Sequence, residues 1–544
     1  MSEDMKSNVH THMERIPSES SKNDLAKVNT IGTVKLTDGD IVYIPAPTSD
    51  PQDPLNMPAW QKLVVTVIVS IFSTLGLSLV SGFGGLLGFY IPTYAAAGKT
   101  YADITALMTY PSLFMGIGNL IGMPLAVAVG RRSVMLGSTI ILVVSAILCS
   151  TAKNYEWHLA ARSVLGLAAG QSEALVPLIV QEIYFLHERS KGLMVQQTIQ
   201  VILTAIWVLF ASPIAGKITP QWWYGLGAAL AAVQLIATFF LLPETKYARP
   251  LEAFQEVQPD AEGGDIESDP ARLSSRANIC TQRPALDFVT YAPRTLKSDM
   301  RMWVGKPEWK LIYKVLKETF TVMLFPNVFW AMCLNGLTLG ANVAIGITYG
   351  TVITSAPYNW SQSSTSYVNC GQIVTALLAL PLLGYGSDLL IKWKANRNGG
   401  IHEPENRLLP LFFPIIIGIF TAILYGQGAA HPERYHWFNV VWAVAAYYFT
   451  FVGANITAIT YLLDSYPARS GSLLVVICAF RGIISFGVIY GIAPFVHTAG
   501  YDGMFNTFGG LTAALGLLAI PIYFFGKRIR GFTARWAMDS SRSE

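Results

Sequence analysis

Long stretches of this chain carry no charged side chain. Residues 63–98 and 319–387 contain no Asp, Glu, Lys or Arg. A helix needs about 20 mainly apolar residues to cross the hydrocarbon core of a bilayer. By this criterion the sequence predicts twelve membrane spans, numbered 1 to 12 in chain order: 62–84, 104–128, 133–152, 159–181, 193–216, 222–243, 321–345, 366–386, 408–428, 437–462, 472–495 and 505–526.

Polar segments divide these spans into two groups of six. Two sets of spans joined by a polar linker are the hydropathy pattern of a duplicated transporter. The predicted fold class is therefore an all-α membrane protein with twelve transmembrane helices in two six-helix halves. We expect a disordered cytoplasmic N-terminal tail at 1–59 and a first half at 60–243. A cytoplasmic central linker follows at 244–318 and ends in an amphipathic helix at 309–317. The second half covers 319–526, and a cytoplasmic C-terminal tail covers 527–544.

Composition narrows the possible partners. Only 13% of the residues are charged, against about 25% in soluble domains. A net charge of +4 is too small to indicate nucleic-acid binding. Five scattered cysteines suggest neither a disulfide framework nor a metal site. We expect a monomer in a lipid bilayer that takes a small-molecule substrate and protons, with no cofactor, no metal and no nucleic acid.

Short loops predict the orientation of the chain in the membrane. With both termini in the cytoplasm, the inner loops hold nine basic residues and the outer ends hold four. This bias follows the positive-inside rule. Asn359-Trp-Ser361 is an N-glycosylation sequon, and it lies in a predicted outer loop. We predict a multi-pass glycoprotein of the plasma membrane, with the vacuolar membrane as the alternative.

A family resemblance appears after span 2. Residues 118–132 resemble the signature loop between spans 2 and 3 of the major facilitator superfamily. Val127 and Ala128 stand where that loop has Asp and Arg. The second half offers Asp388 at the equivalent place. The resemblance implies a gate at the cytoplasmic ends of the spans, to which we assign Gly130, Arg131, Arg132 and Asp388. Asp464 lies near the inner end of span 10, where it could belong to the gate or be solvated at the membrane interface.

Further motifs point to one branch of that family. Leu159 to Gly170, with Arg162, resembles the family motif of span 4, and the resemblance ties this arginine to proton coupling. The alternative is an arginine near the outer end of the span whose charge reaches the membrane interface. The antiporter motif of span 5 persists only as Ser212-Pro213 and Gly216. Five other segments are similar to the fungal drug:proton-antiporter type, near the yeast cation and polyamine permeases: 53–56, 185–189, 243–250, 403–408 and 464–469. The resemblance covers residues 53–526 and implies secondary transport, often coupled to protons, of drugs, fungal metabolites or polyamines.

Isolated charges inside the predicted spans are the candidate site. A charged side chain at the centre of a bilayer costs about 2.5–3.5 kcal/mol. Glu173 lies eleven residues after Arg162, about 16 Å along span 4, and so near the middle of the membrane. It could carry a proton, pair with a cationic substrate or make a structural hydrogen bond. Arg481 in span 11 could bind an anionic group, act as the counter-ion of Glu173 or play a structural role.

Three amides in the spans complete the candidate site. Asn335 and Asn342 are seven residues apart in span 7 and share one face, and Asn455 lies in span 10. They could line a substrate cavity or bond between helices.

These observations favour a secondary active transporter. Gly98-Lys99-Thr100 lacks the glycine that a phosphate-binding loop needs, which excludes an ATP-driven pump, and no catalytic motif indicates an enzyme. The first hypothesis is proton-coupled efflux of a hydrophobic small molecule, such as a fungal secondary metabolite, toxin or drug. The alternatives are proton-driven uptake of a cationic nutrient such as a polyamine, and a non-transporting sensor of the same fold.

Overall fold

The computed structural model describes residues 34–35, 37–38, 40–41, 48–247, 286–289, 291–302, 307–379, 382–383, 386–397, 401–466 and 469–538. The predicted N-terminal tail and central linker lie mostly outside these residues. Two pairs of very short antiparallel strands are present, β1 (Val34–Lys35) with β4 (Ile401–His402) and β2 (Thr37–Asp38) with β3 (Asp40–Ile41). The described remainder is largely helical.

The first half contains spans 1 to 6. Proline or glycine marks most of its breaks, because neither residue favours a continuous helix. Its helices are α1 (Ala59–Ser81), α2 (Leu87–Ala96), α3 (Tyr101–Ala128), α4 (Arg131–Ser150), α5 (Tyr155–Ala169), α6 (Gln171–Ile183), α7 (Leu186–Leu209), α8 (Ala211–Lys217) and α9 (Pro220–Leu241). Helices α5 and α6 together form span 4, and α7 and α8 together form span 5.

The second half follows the linker and contains spans 7 to 12. Its helices, with two that precede it, are α10 (Leu296–Asp299), α11 (Trp309–Met323), α12 (Pro326–Thr354), α13 (Cys370–Ala379), α14 (Gly386–Arg397), α15 (Phe412–Ala430), α16 (Phe438–Ser465), α17 (Ser470–Tyr490), α18 (Ile492–Leu517) and α19 (Ala519–Met538). Helix α18 is interrupted at Gly500, which has a φ of +71°. Helix α19 continues past residue 526, where the hydropathy predicted the end of span 12.

Eleven helical stretches of the described residues are long and apolar enough to cross a membrane. Span 8 is the remaining one, where α13 and α14 are separated by residues that include 380–381 and 384–385, outside the described part of the chain. The prediction of an all-α membrane protein with twelve helices in two halves is confirmed. We call the end of the bundle that carries Asn359 the sequon end and the end that carries Glu244 the linker end.

The two halves meet closely where α3 crosses α17. A Cβ atom on Gly482 would lie 2.9 Å from the carbonyl oxygen of Ser112 and 3.1 Å from the Cα atom of Gly116. No larger side chain fits between the two backbones at this point. At this point spans 2 and 11 therefore touch backbone to backbone.

A second contact joins the halves at the sequon end. The Ser212 hydroxyl, at the start of α8, donates to the carbonyl oxygen of Gly85 at 2.8 Å. Its oxygen lies 2.6 Å from the hydroxyl oxygen of Ser366, and the Ser212 amide donates to Ser366 at 3.0 Å. All three residues are buried. The remnant of the span 5 motif thus links spans 1, 5 and 8.

Candidate functional site

Glu173 lies just after a break in span 4. Helix α5 ends at Ala169 and α6 begins at Gln171, and the Glu173 amide bonds the Gly170 carbonyl, three residues back, at 3.0 Å. The carboxylate therefore lies in the first turn of α6, where the helix dipole favours a negative charge. The helix break thus places a carboxylate near the predicted middle of the membrane, where the dipole of α6 stabilises its negative charge.

Pro177 frees the backbone carbonyl of Glu173. A proline in a helix has no N–H to donate to the carbonyl four residues earlier. The Cys478 thiol of α17 donates to this carbonyl oxygen at 3.1 Å. The gap left by the proline thereby becomes a contact between the two halves, beside the Glu173 side chain.

Arg481 pairs with Glu173 across the interface between the halves. Its Nη2 forms an ion pair with Oε1 of Glu173, and its Nη1 donates to Oδ1 of Asn455 at 2.7 Å. The guanidinium carbon also lies 5.8 Å from the ring centre of Phe451. The side chains of Arg481 and Glu173 are only 2% and 11% exposed. The structure brings together three residues that the sequence singled out, and it makes Arg481 the counter-ion of Glu173.

The two charges of this pair depend on each other. A buried ion pair is balanced only while both partners are charged, and loss of one partner leaves an uncompensated charge that costs about 3–5 kcal/mol. Asn455 and Arg481 belong to the same half, whereas Glu173 belongs to the other. Loss of the charge on Glu173 would therefore remove the ionic bond between the halves and leave Arg481 bonded to Asn455 within its own half.

Away from Glu173 and Arg481, apolar and aromatic side chains of the two halves contact each other. Tyr110 of span 2 packs against Phe486 of span 11, with ring centres 5.9 Å apart. Spans 5 and 8 meet through Val201 and Ala376, with Tyr448 packed against them. The seam between the halves thus offers mainly apolar contacts around the one charged pair described above.

Arg162 of span 4 lies away from this pair and forms hydrogen bonds to the backbones of spans 1 and 2. It donates from Nε to the Leu107 carbonyl at 2.7 Å, which Pro111 leaves without its helical donor. It also donates to the Leu79 and Val80 carbonyls at 3.3 and 3.0 Å, where α1 ends. Its side chain is completely buried. The motif arginine therefore satisfies the carbonyls that a proline and a helix end leave open.

A histidine network that the sequence analysis missed adjoins Arg162. His158 Nδ1 lies 2.9 Å from the Tyr94 hydroxyl, and Nε2 lies 3.3 Å from the Tyr224 hydroxyl. Arg162 donates to Tyr224 at 2.6 Å. His158 lies directly before predicted span 4 and precedes Arg162 by one helical turn, and this spacing was the available signal.

The two asparagines of span 7 do not join the charged pair among the described contacts. Asn335 is fully buried, donates to the Ala331 carbonyl of its own helix at 3.1 Å, and leaves Oδ1 without a partner in the described residues. Asn342 is half-buried. Their role in a substrate cavity stays a prediction.

The predicted gate is built around the start of α4. Gly130 has a φ of +145°, a conformation that other residues rarely adopt. A Cβ atom there would collide with the Glu244 carboxylate. That carboxylate accepts from the Arg131 amide at 2.9 Å and the Arg132 amide at 3.2 Å, so it caps the helix. Burial raises the pKa of Glu244, and its bonds from the Lys246 and Arg131 amides act in the opposite direction.

Arginine side chains extend this gate. Arg131 pairs with Glu182 at the end of α6 at 2.6 Å. Arg132 donates to the Phe239 carbonyl at 2.6 Å. Glu244 was not among the predicted site residues, yet it supplies a carboxylate to the loop in which Val127 replaces the expected Asp. The proximity of residue 244 to residue 130 arises only from the fold.

The second half has a corresponding cluster. Asp464, at the end of α16, pairs with Arg407 at 2.5 Å. Arg530 of α19 is fully buried and pairs with Glu405 at 2.8 Å. The Asp388 side chain lies outside the described residues, so its predicted gating role stays a prediction.

Asn359 occupies a surface turn. Its side chain is exposed, and its φ of +50° is one that asparagine tolerates better than most residues. Trp360 of the same sequon packs against Trp437, with ring centres 5.4 Å apart. The asparagine is thus accessible to a modifying enzyme, and its glycosylation remains a prediction.

Comparisons with known proteins place this geometry in a wider setting. The model of the Major Facilitator Superfamily matches residues 66–487. An MFS-type transporter of Schizosaccharomyces pombe is 23% identical over 92% of this chain and 90% of its own. The Major facilitator superfamily multidrug transporter FLU1 of Candida albicans is 23% identical over 88% and 74%. The solved structure of the human organic anion transporter MFSD10 superposes with a TM-score of 0.52 and 15% identity, over 85% of this chain and 100% of that one.

Proposed function

Since the chain belongs to the Major Facilitator Superfamily, and is therefore a membrane transporter and not an enzyme, we propose that it exports a hydrophobic small molecule in exchange for protons. A fungal secondary metabolite, toxin or drug is the class of substrate. The observation that carries the proposal is the ion pair of Glu173 with Arg481, which joins the two halves. Glu173 is predicted to lie near the middle of the membrane, where substrate sites of such carriers lie.

The proposed cycle uses Glu173 as the proton carrier. While Glu173 is ionised, the pair with Arg481 stabilises the arrangement in which the halves touch at the sequon end. A proton on Glu173 neutralises one partner and weakens the link between the halves. Return of the proton to the other side restores the pair. Proton movement is thus coupled to the relative position of the halves, and a substrate moves the opposite way.

Two features support a hydrophobic substrate. The charges of Glu173 and Arg481 compensate each other, so an uncharged molecule meets no excess charge there. The surrounding seam is mainly apolar and aromatic, as at Tyr110 and Phe486. The relative FLU1, named a multidrug transporter, agrees with this class.

Uptake of a cationic nutrient such as a polyamine is the second candidate. It is favoured by the greater exposure of the Glu173 side chain compared with that of Arg481. A cation that reaches the pair would meet the carboxylate first and could displace the guanidinium.

The remaining features of the proposal concern the setting of the transporter. We place both termini and the linker in the cytoplasm and Asn359 outside. The gate residues Gly130, Arg131 and Asp464 then lie at the cytoplasmic side. The protein acts as a monomer in the plasma membrane, or alternatively in the vacuolar membrane.

Transport by purified protein in proteoliposomes tests the proposal. The probes are the neutral dye Nile red, the cationic dye rhodamine 6G and the polyamine spermidine. Export of either dye should require a pH gradient, stop with a protonophore and not respond to ATP. Undiminished flux without an ion gradient would refute proton coupling, and gradient-driven accumulation of spermidine alone would favour the uptake alternative.

Glu173→Gln then separates the possible roles of the carboxylate. As a proton carrier, the variant should lose gradient-driven transport of both dyes but retain dye exchange. As a site for cations, it should lose rhodamine 6G and spare Nile red. Glu156→Gln is the matched control, because Glu156 lies in the same span but is 70% exposed and pairs with Lys99. Normal pH-dependent transport by well-folded Glu173→Gln protein would refute both roles.

A further inference from the structure

Helix α11, just before span 7, has two different apolar faces. Val315, Thr319 and Val322 are buried against the bundle. On the opposite side, Trp309, Tyr313, Phe320 and Leu324 are 63%, 74%, 51% and 75% exposed. The intervals between them are four, seven and four residues, which place all four on one face of the helix. Packing against the bundle accounts for the buried face of α11, but it does not account for the exposed apolar face.

Helix α11 contacts both halves, through α3 and α17. The Glu308 amide at its start donates to the Ala128 carbonyl at the end of α3, at 3.4 Å. Further along, Ser472 of α17 donates to Glu318 at 3.2 Å, and Phe320 packs against Phe480 with ring centres 6.2 Å apart. Since α17 begins at Ser470, Phe480 lies about 15 Å along it. Helix α11 therefore runs from the linker end of span 2 along span 11, with its C-terminal end deeper in the membrane.

The exposed face matches a bilayer interface along this direction. Tryptophan and tyrosine come first, at the shallow end, and phenylalanine and leucine follow at the deep end. Trp and Tyr prefer the headgroup level of membranes, whereas Phe and Leu suit the hydrocarbon. Helix α12 begins two residues after Leu324, and its Phe329 is also exposed, at 54%. The order of side chains thus follows the polarity gradient of one leaflet.

Lysines accompany this face. Lys310 and Lys317 are exposed and Lys314 is half-buried, and all three lie on the side that flanks Trp309 and Tyr313. Their long stems can follow apolar surface while the ammonium groups reach the headgroups. Glu318 does not oppose them, because it turns inward to Ser472.

We infer that the exposed face of α11 is a binding surface for anionic phospholipids of the leaflet at the linker end. Trp309, Tyr313, Phe320 and Leu324 enter the leaflet, and Lys310, Lys314 and Lys317 bind the phosphate and carboxylate groups of the lipids. The inference does not depend on which substrate is carried or on proton coupling. It predicts that lipids bound here contact a helix that touches both halves of the transporter.

Lipid quenching of a fluorophore on this face tests the inference. A bimane group is attached to Tyr313→Cys in full-length protein in which Cys280, Cys333 and Cys370 are serine. The protein is placed in nanodiscs of phosphatidylcholine and phosphatidylserine, with one or the other lipid brominated. Each lysine near an anionic surface strengthens association by about fivefold. We expect brominated phosphatidylserine to be preferred at this site by about fivefold or more.

Lysine variants separate headgroup binding from simple lipid contact. Lys310→Gln/Lys314→Gln/Lys317→Gln should reduce the preference to near unity while quenching by brominated phosphatidylcholine persists. Lys153→Gln/Lys217→Gln, at the sequon end, is the matched control and should leave the preference unchanged. Should the triple variant fail to purify, Lys310→Gln alone must lower the preference. Equal quenching by both lipids in the parent protein would overturn the anionic site, and absence of quenching would overturn the lipid contact altogether.

Discussion

Replacing Arg481 by methionine tests whether the charged pair is a true link between the halves. Methionine keeps much of the volume but removes the charge, the bond to Asn455 and the contact with Phe451. Glu173, 11% exposed, then keeps a carboxylate without its counter-ion. Breaking a buried pair in this way costs about 3–5 kcal/mol. For a unit the size of one half, about 2–4 °C per kcal/mol applies, so Tm should fall by roughly 6–20 °C.

The double variant Glu173→Gln/Arg481→Met provides the decisive comparison. Removing both charges eliminates the uncompensated carboxylate, and replacement of a whole buried pair is often close to neutral. Its Tm should therefore return most of the way to that of the parent protein. Arg528→Met serves as the control, because Arg528 is exposed and surface changes stay within about 0.5 kcal/mol.

Size-exclusion chromatography of heated, detergent-solubilised protein measures these Tm values. The reasoning would be refuted by an Arg481→Met protein as stable as the parent. It would equally be refuted by a double variant whose loss of stability equals the sum of the two single losses, because contacting charges must be coupled.

Three further predictions concern topology, closure and modification. A cysteine at position 360 should react with an impermeant maleimide on intact cells and one at position 270 should not; labelling of both would contradict the six-plus-six arrangement. Ser212→Cys/Ser366→Cys should form a disulfide and block transport until reduced, because the hydroxyl oxygens are 2.6 Å apart; unhindered transport by the cross-linked protein would show that this contact need not open. Asn359→Gln should migrate faster than the parent on a gel by the mass of one glycan, and equal mobility would show that the sequon is unused.

Hydropathy predicted the helices well and their ends less well. The twelve spans follow from apolar length, which a bilayer imposes on any crossing helix. Helix α19 continues to Met538 instead of ending near 526, because a helix persists beyond the membrane when its polar residues find partners. Arg530 does so through Glu405 of a distant segment, and hydropathy carries no information on such a pair.

The charged pair was predictable for a different reason. Glu173 and Arg481 are lone charges in apolar spans. Because an unpaired charge inside a bilayer is energetically unfavourable, each was expected to pair with an opposite charge. Cys478 and Glu244 were missed because one is nearly apolar and the other lies outside the spans. Pro177 was a usable local signal for the open Glu173 carbonyl, but the identity of its donor depends on how spans 4 and 11 pack.

The backbone contact between Gly116 and Gly482 has a mechanical consequence. It lies near the middle of α3, so each end of that helix is about 20 Å away. Carriers of this fold change access mainly by rigid-body rocking of one half against the other. A tilt of about 20° around this contact would displace each end of α3 by roughly 7 Å. A small rotation around this crossing would therefore open a gap at one end of the bundle that is wide enough for a small molecule.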